Sequence, residues 1–140
     1  MATVLYVDDQ DAIRRAVKLW LSRKGHVVHL ADCPEAARAL VLAERLDGIF
    51  IDLWLGSESG LELYEWIDTL DPGLATRVAF VTGDLFDEAL ASVRLKRPVL
   101  AKPFELRDLE ALADRWQGER SALRNGAHPG TDDVQPLPGQ

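Results

Sequence analysis

The sequence predicts an α/β fold: a doubly wound sheet of five parallel strands with helices on both faces. Three observations predict it. Short apolar, β-branched runs alternate five times with amphipathic helical stretches up to residue 117. The central run, GIFID at 48–52, is apolar at successive positions, as a strand covered on both faces must be. Turn and cap residues such as Gly25, Pro34 and Asp71-Pro72-Gly73 fall between the runs.

The elements follow in order. TVLYV (3–7) is the first strand. DAIRRAVKLWLSRKG (11–25) places Ile13, Ala16, Val17, Trp20 and Leu21 on one helical face, with Asp11 as its expected N-cap and Gly25 as its stop. VVHL (27–30) is the second strand. PEAARALVLAERL (34–46) is a helix with proline in its first turn. GIFID is the third strand. GLELYEWIDTL (60–70) is the third helix, with Leu61, Tyr64, Ile67 and Leu70 at helical spacing and Ser59 as N-cap. RVAFVTG (77–83) is the fourth strand, FDEALASVRL (86–95) a short fourth helix and RPVLA (97–101) the fifth strand. ELRDLEALADRW (105–116) is the fifth helix, with Leu106, Leu109, Leu112, Ala113 and Trp116 inward. Five such units suit a (βα)5 flavodoxin-like sandwich with strand order 2-1-3-4-5. Residues 1–120 read as one domain. Residues 121–140, ending GAHPGTDDVQPLPGQ, read as a disordered tail.

Bulk properties exclude several classes. A formal net charge of −7 argues against nucleic-acid binding, which needs clustered Lys and Arg. The single cysteine, Cys33, forbids an internal disulfide and fits a reducing compartment. No apolar run approaches the roughly 18 residues of a membrane helix, and TVLYV begins without a signal-peptide pattern. A cytoplasmic protein without membrane contact is expected.

Function in such sheets gathers outside the carboxyl ends of the strands. Strand one delivers Asp8 and Asp9 there, strand three Asp52, strand four Thr82 followed by Gly83 and Asp84, and strand five Lys102 followed by Pro103 and Phe104. Strand two delivers Ala31 and Asp32 at the sheet edge. Carboxylates sharing a cleft repel and raise one another's pKa values. A hard divalent cation relieves that conflict, and Mg²⁺ suits one or two carboxylates with waters and phosphate oxygens. Soft metals lack a Cys/His cluster; His26 and His29 read as ordinary surface or strand-edge residues. A carboxylate, Mg²⁺, a hydroxyl and a lysine together can hold a phosphoryl group. A carboxylate can also be the nucleophile and become an acyl phosphate, and Asp52 on the central strand is the candidate. It should emerge at the strand end, neither deeply buried nor unpaired.

VLYVDDQ, IFIDLWLGSESGLEL, VAFVTGD and VLAKPF, in this order and spacing over residues 2–117, resemble the receiver domains of two-component response regulators. The resemblance is nearest in character to receivers at the C-termini of hybrid sensor histidine kinases. It implies Asp52 as phosphoacceptor and Asp9 as main Mg²⁺ ligand. Asp8 would bind the metal directly or through water, and the Trp54 backbone carbonyl would be a further ligand. Thr82 and Lys102 would contact the phosphoryl group, and Lys102-Pro103 would be a cis peptide. The implied activity is self-catalysed phosphotransfer and autodephosphorylation in a phosphorelay. The implied partners are a sensor histidine kinase or histidine phosphotransfer protein, and a homodimer mate on the helix four–strand five–helix five face.

Four positions depart from the family's habits or tune its chemistry. Val99 stands where an aromatic is usual, three residues before the lysine, which should weaken or reroute output. Gly56 replaces a common proline and should loosen the loop after Asp52. Trp54 and Asp84, two residues after Asp52 and Thr82, occupy positions that tune dephosphorylation in receivers. Trp54 would shield an acyl phosphate; Asp84 would orient water or repel charge.

Two other functional readings use the same residues. A haloacid-dehalogenase-like phosphatase would need an acid two residues after its nucleophile, where this chain has Trp54. A degenerate receiver would bind partners without phosphorylation. A Rossmann enzyme lacks its GxGxxG, and GSESG carries Glu58 where a nucleophile elbow needs serine.

Overall fold

The computed structural model describes residues 1–93 and 96–124. The elements are β1 (Thr3–Val7), α1 (Asp11–Arg23), β2 (Val27–Ala31), α2 (Pro34–Ala43), β3 (Gly48–Asp52), β4 (Trp54–Leu55), β5 (Glu58–Ser59), α3 (Gly60–Leu70), α4 (Pro72–Ala75), β6 (Val78–Thr82), α5 (Leu90–Val93), β7 (Val99–Ala101) and α6 (Leu106–Arg124). Five strands form a parallel sheet in the order β2-β1-β3-β6-β7. That is the predicted order 2-1-3-4-5, because β4 and β5 pair only with each other as an antiparallel hairpin.

Side-chain alternation divides the core into two. Leu5, Val7, Ile49, Ile51, Val78 and Phe80 pack with α2 and α3, against Ala37, Leu63 and Ile67. Val4, Tyr6, Phe50, Ala79 and Val81 face the other way, onto Val17 and Leu21 of α1 and Leu109, Ala113 and Trp116 of α6. Trp116 fixes one detail of the central strand. A Cβ at Gly48 would lie 2.1 Å from its indole, so only glycine lets α6 close on β3. At roughly 25 cal/mol per Å² of apolar surface, burial on both faces is the main force holding the sheet.

Several local expectations change. Ala16 is exposed, and the inner face of α1 centres on Val17 and Leu21. In α3, Leu63 is buried and Leu70 exposed, so the inward stripe is Gly60, Leu63 and Ile67. Asp11 does not cap α1. Gln10 occupies that position without a side-chain cap, and the preceding turn is closed by Asp8 Oδ1, which accepts the Gln10 N–H at 2.9 Å. Ser59 does cap α3, accepting the Leu61 N–H at 3.1 Å. The expected fourth helix shrinks to α5. Asp84 and Asp87 take the N–H groups of Phe86 and Ala89 on their side chains, which favours turns over helix. Residues 94–95 of that expected helix lie outside the described residues. The last helix runs to Arg124, beyond the expected end at 116. Of the expected tail, residues 121–124 therefore belong to α6, and 125–140 lie outside the described residues.

His26 is not a surface residue. It is buried, its Nδ1 accepts the Ala2 N–H at 2.9 Å and its Nε2 lies 2.9 Å from Asp114 Oδ1, tying β1 to α6. Among the described residues no helix is long and apolar enough to cross a membrane.

Candidate functional site

Parallel pairing brings the strand ends together. Asp52 ends β3 opposite Val81, Thr82 ends β6 opposite Ala101, and Asp8 follows β1, its N–H donating to the Ala31 carbonyl. Lys102 follows β7 and its N–H donates to the Thr82 carbonyl at 2.7 Å. The Lys102–Pro103 bond is cis. An open cleft of about 540 Å³ lies over these ends, lined by Gln10, Ile13, Asp52, Trp54, Thr82, Asp84, Lys102 and Pro103 among others.

The Lys102 ammonium is the hub. Its Nζ lies 2.7 Å from Asp52 Oδ2, 2.9 Å from Asp8 Oδ2 and 2.8 Å from Gln10 Oε1. Burial alone would push its pKa down, but the hydrogen bonds and charges of Asp52 and Asp8 outweigh that and hold it above the ordinary lysine value.

Asp52 is 6% exposed, more deeply buried than its place at a strand end suggested. Burial raises its pKa from 3.8 to about 6, with the Asp8 charge adding to the rise, while Lys102 and the Trp54 N–H oppose it. That N–H donates to Asp52 Oδ1 at 3.2 Å. The backbone behind Asp52 is equally constrained. The Gly60 N–H donates to the Leu53 carbonyl at 2.7 Å, and a Cβ on Gly60 would sit 2.1 Å from the Asp52 carbonyl oxygen.

Asp8 is fully buried and Asp9 exposed. Carboxylate oxygens of Asp8, Asp9 and Asp52 lie within 4.8 Å of one another. Three hard oxygen donors so close fit a small divalent cation, and the Lys102 ammonium balances only part of their charge. Thr82 is buried at the rim, with its hydroxyl engaged by its own loop; Oγ1 accepts the Asp84 N–H at 3.0 Å.

Four residues have roles that sequence reasoning missed or misread. Gln10 contacts Lys102, as described. The Tyr6 hydroxyl, fully buried, donates to Asp8 Oδ2 at 2.8 Å; burial and the Asp8 charge hold its pKa far above the ordinary value. Its sequence signal is a hydroxyl-bearing ring among the aliphatic Val4, Leu5 and Val7 of the first strand. Gly56 does not loosen its loop. It turns the β4–β5 hairpin at φ +66°, and its N–H donates to Asp9 Oδ2 at 3.0 Å. Proline could supply neither the angle nor the donor. Asp87 accepts the Trp54 indole N–H at 2.7 Å, which holds the Asp87 carboxyl below its usual value. The 44%-exposed Trp54 side chain therefore bridges the hairpin to the loop after β6.

Known proteins resemble this arrangement throughout the described sheet. Residues 4–114 match the family described as the response regulator receiver domain. The chain is 31% identical over 114 residues to the DNA-binding transcriptional regulator NtrC of Azospirillum brasilense, a match covering 81% of this chain and 24% of that protein. It is 30% identical over 132 residues to the transcriptional regulatory protein AfsQ1 of Streptomyces coelicolor, covering 94% of this chain and 56% of that one. The chain thus spans less than two thirds of these relatives. A CheY-like receiver domain from Methanospirillum hungatei has a similar structure, with TM-score 0.74 and 26% identity over 86% of this chain and 98% of that one. With the family match over most of its length and the strand-end residues assembled, this chain belongs to the response regulator receiver domain family of two-component signalling.

Proposed function

We propose that this domain accepts a phosphoryl group on Asp52 from the phosphohistidine of a histidine kinase or phosphotransfer protein, in the presence of Mg²⁺, and signals through protein contacts. The observation that carries the reading is the Lys102 ammonium held by both Asp8 and Asp52, beside an acidic trio within 4.8 Å. With its pKa at about 6, Asp52 is largely ionised at neutral pH, as a nucleophile must be.

In the transfer, an Asp52 carboxylate oxygen forms the new O–P bond as the donor's N–P bond breaks. The electron pair stays on the imidazole nitrogen, which then takes up a proton. Lys102 exchanges carboxylate partners for phosphoryl oxygens, and Thr82 releases its loop contact to donate its hydroxyl. Asp8, Asp9, Asp52 and the Trp54 carbonyl would hold Mg²⁺, which when bound supplies neutralising charge at the phosphoryl oxygens. The indole of Trp54 limits the approach of water, giving the acyl phosphate a longer life.

Output is a population shift in the hairpin, the loop after β6 and the α5–β7–α6 face. That face is also where a second copy would bind. Val99, half-buried against the α2–α3 core, offers less side chain for this shift than an aromatic would. The test is incubation with a small-molecule phosphodonor and Mg²⁺, followed by intact-mass measurement. Addition of one phosphoryl group is expected, and its loss in Asp52→Asn and on chelation. An unmodified wild type would favour a phosphorylation-independent interaction module; modification persisting in Asp52→Asn would remove Asp52 from its role.

A further inference from the structure

Tyr6 stands out once the site is assembled, because no step of phosphotransfer uses it. Its ring is wedged in the α1–α6 core, with Phe50 at 6.2 Å and Phe104 at 6.4 Å between centroids. A fully buried hydroxyl on so fixed a ring has little freedom to move. It donates to Asp8 Oδ2 at 2.8 Å, while Asp8 Oδ1 accepts the Gln10 N–H at 2.9 Å. The third partner, Lys102, is on a flexible stem and is shared with Asp52 and Gln10. The two rigid donors therefore grip both oxygens of Asp8 independently of the lysine.

We infer that the Tyr6 hydroxyl is a positioning group that makes the acidic site discriminate Mg²⁺ from the larger Ca²⁺. The inference rests on the functional reading above. Mg²⁺ demands near-ideal octahedral geometry at about 2.0–2.1 Å, whereas Ca²⁺ accepts irregular shells at about 2.3–2.6 Å. A carboxylate locked from behind suits the first ion. One able to swing suits the second equally well. Partners that orient a metal's carboxylates typically contribute about 10–100-fold in affinity.

A purely structural role would leave ion preference untouched, so the test measures preference. Tyr6→Phe deletes one oxygen and keeps the ring contacts with Phe50 and Phe104, so the fold is retained. The full chain and this variant are titrated calorimetrically with Mg²⁺ alone and with Ca²⁺ alone. The expected result is an approximately tenfold loss of Mg²⁺ affinity with Ca²⁺ affinity changed less than about threefold. Unchanged Mg²⁺ affinity, or equal losses for both ions, would overturn the positioning role while leaving the functional reading standing. A wild type that binds no Mg²⁺ would overturn both.

Discussion

Asp52→Asn should make the metal-free protein more stable at neutral pH, although it removes the proposed functional group. In the folded state burial raises the Asp52 pKa from 3.8 to about 6, against the opposing pull of Lys102. A group whose folded pKa is raised contributes stability below its unfolded value. It loses that contribution as pH rises through the folded value. Above about pH 7 the wild type therefore carries the full cost of an ionised, buried Asp52, about 3 kcal/mol from a displacement of this size. Asparagine has no charge to bury. It forfeits the ion pair with Lys102, but that attraction is already counted in the net rise, and Lys102 retains Asp8 and Gln10. Burying the amide takes back part of the gain, leaving an expected stabilisation of about 1–3 kcal/mol.

The assay is urea unfolding of both proteins in chelator between about pH 4 and about pH 8. The advantage of the variant should be small near the acid end, grow between about pH 4 and about pH 6, where the unfolded carboxyl has lost its proton and the folded one still holds it, and level off above that. Adding Mg²⁺ at about ten times its Kd should return roughly 1.4 kcal/mol to the wild type and less to the variant. An advantage independent of pH, or a wild type more stable than the variant in chelator at neutral pH, would refute the argument that burial dominates Asp52.

Two further outcomes follow from the same geometry. Gly60→Ala puts a Cβ 2.1 Å from the Asp52 carbonyl oxygen and 2.8 Å from Ile51 Cγ2, so α3 must back away from the site. A loss of about 1–3 kcal/mol in urea unfolding is expected, and a change under about 0.5 kcal/mol would show that the contact yields freely. Trp54→Ala opens the cleft and removes the Asp87 contact. The phosphorylated form should decay about threefold faster by mass-detected time course, and an unchanged lifetime would discard the shielding role.

The sheet and its strand ends were legible because both are written in local pattern. Ile49, Phe50 and Ile51 could all be apolar only in a strand buried on both faces, and the polar residue ending each strand then had one place to go. Asp8, Asp9, Asp52, Thr82 and Lys102 were found this way. What escaped depends on where loops travel. The β4–β5 hairpin has only two residues per strand, too few for periodicity to register. Gly56 looked like a source of slack because glycine is permissive. In the structure that permissiveness delivers an N–H to Asp9, an acceptor 47 residues away. Asp52 was misjudged for a related reason. It does end the strand, but its backbone is packed against Gly60 at the start of α3, and its side chain is covered by Lys102 and the Trp54 backbone.

These misread positions change how the site is understood. A cluster of carboxylates built only from strand ends would be held apart by its own repulsion. Here each carboxylate also accepts a hydrogen bond from the chain: Asp8 from the Tyr6 hydroxyl and Gln10 N–H, Asp9 from the Gly56 N–H, and Asp52 from the Trp54 N–H. Charge-assisted bonds of this kind are stronger than neutral ones, and they fix direction as well as lowering energy. Two of these donors, Trp54 and Gly56, lie on one short hairpin, and the Trp54 indole reaches on to Asp87 in the loop after β6. Any rearrangement at Asp52 or Asp9 is therefore felt at once by the hairpin, and through the indole by that loop. The Trp54–Asp87 bond is exposed and screened by water, so it biases the two loops toward one arrangement without locking them. A chain with valine at position 99 has in this bridge a physical link between Asp52 and the surface that does not depend on an aromatic side chain there.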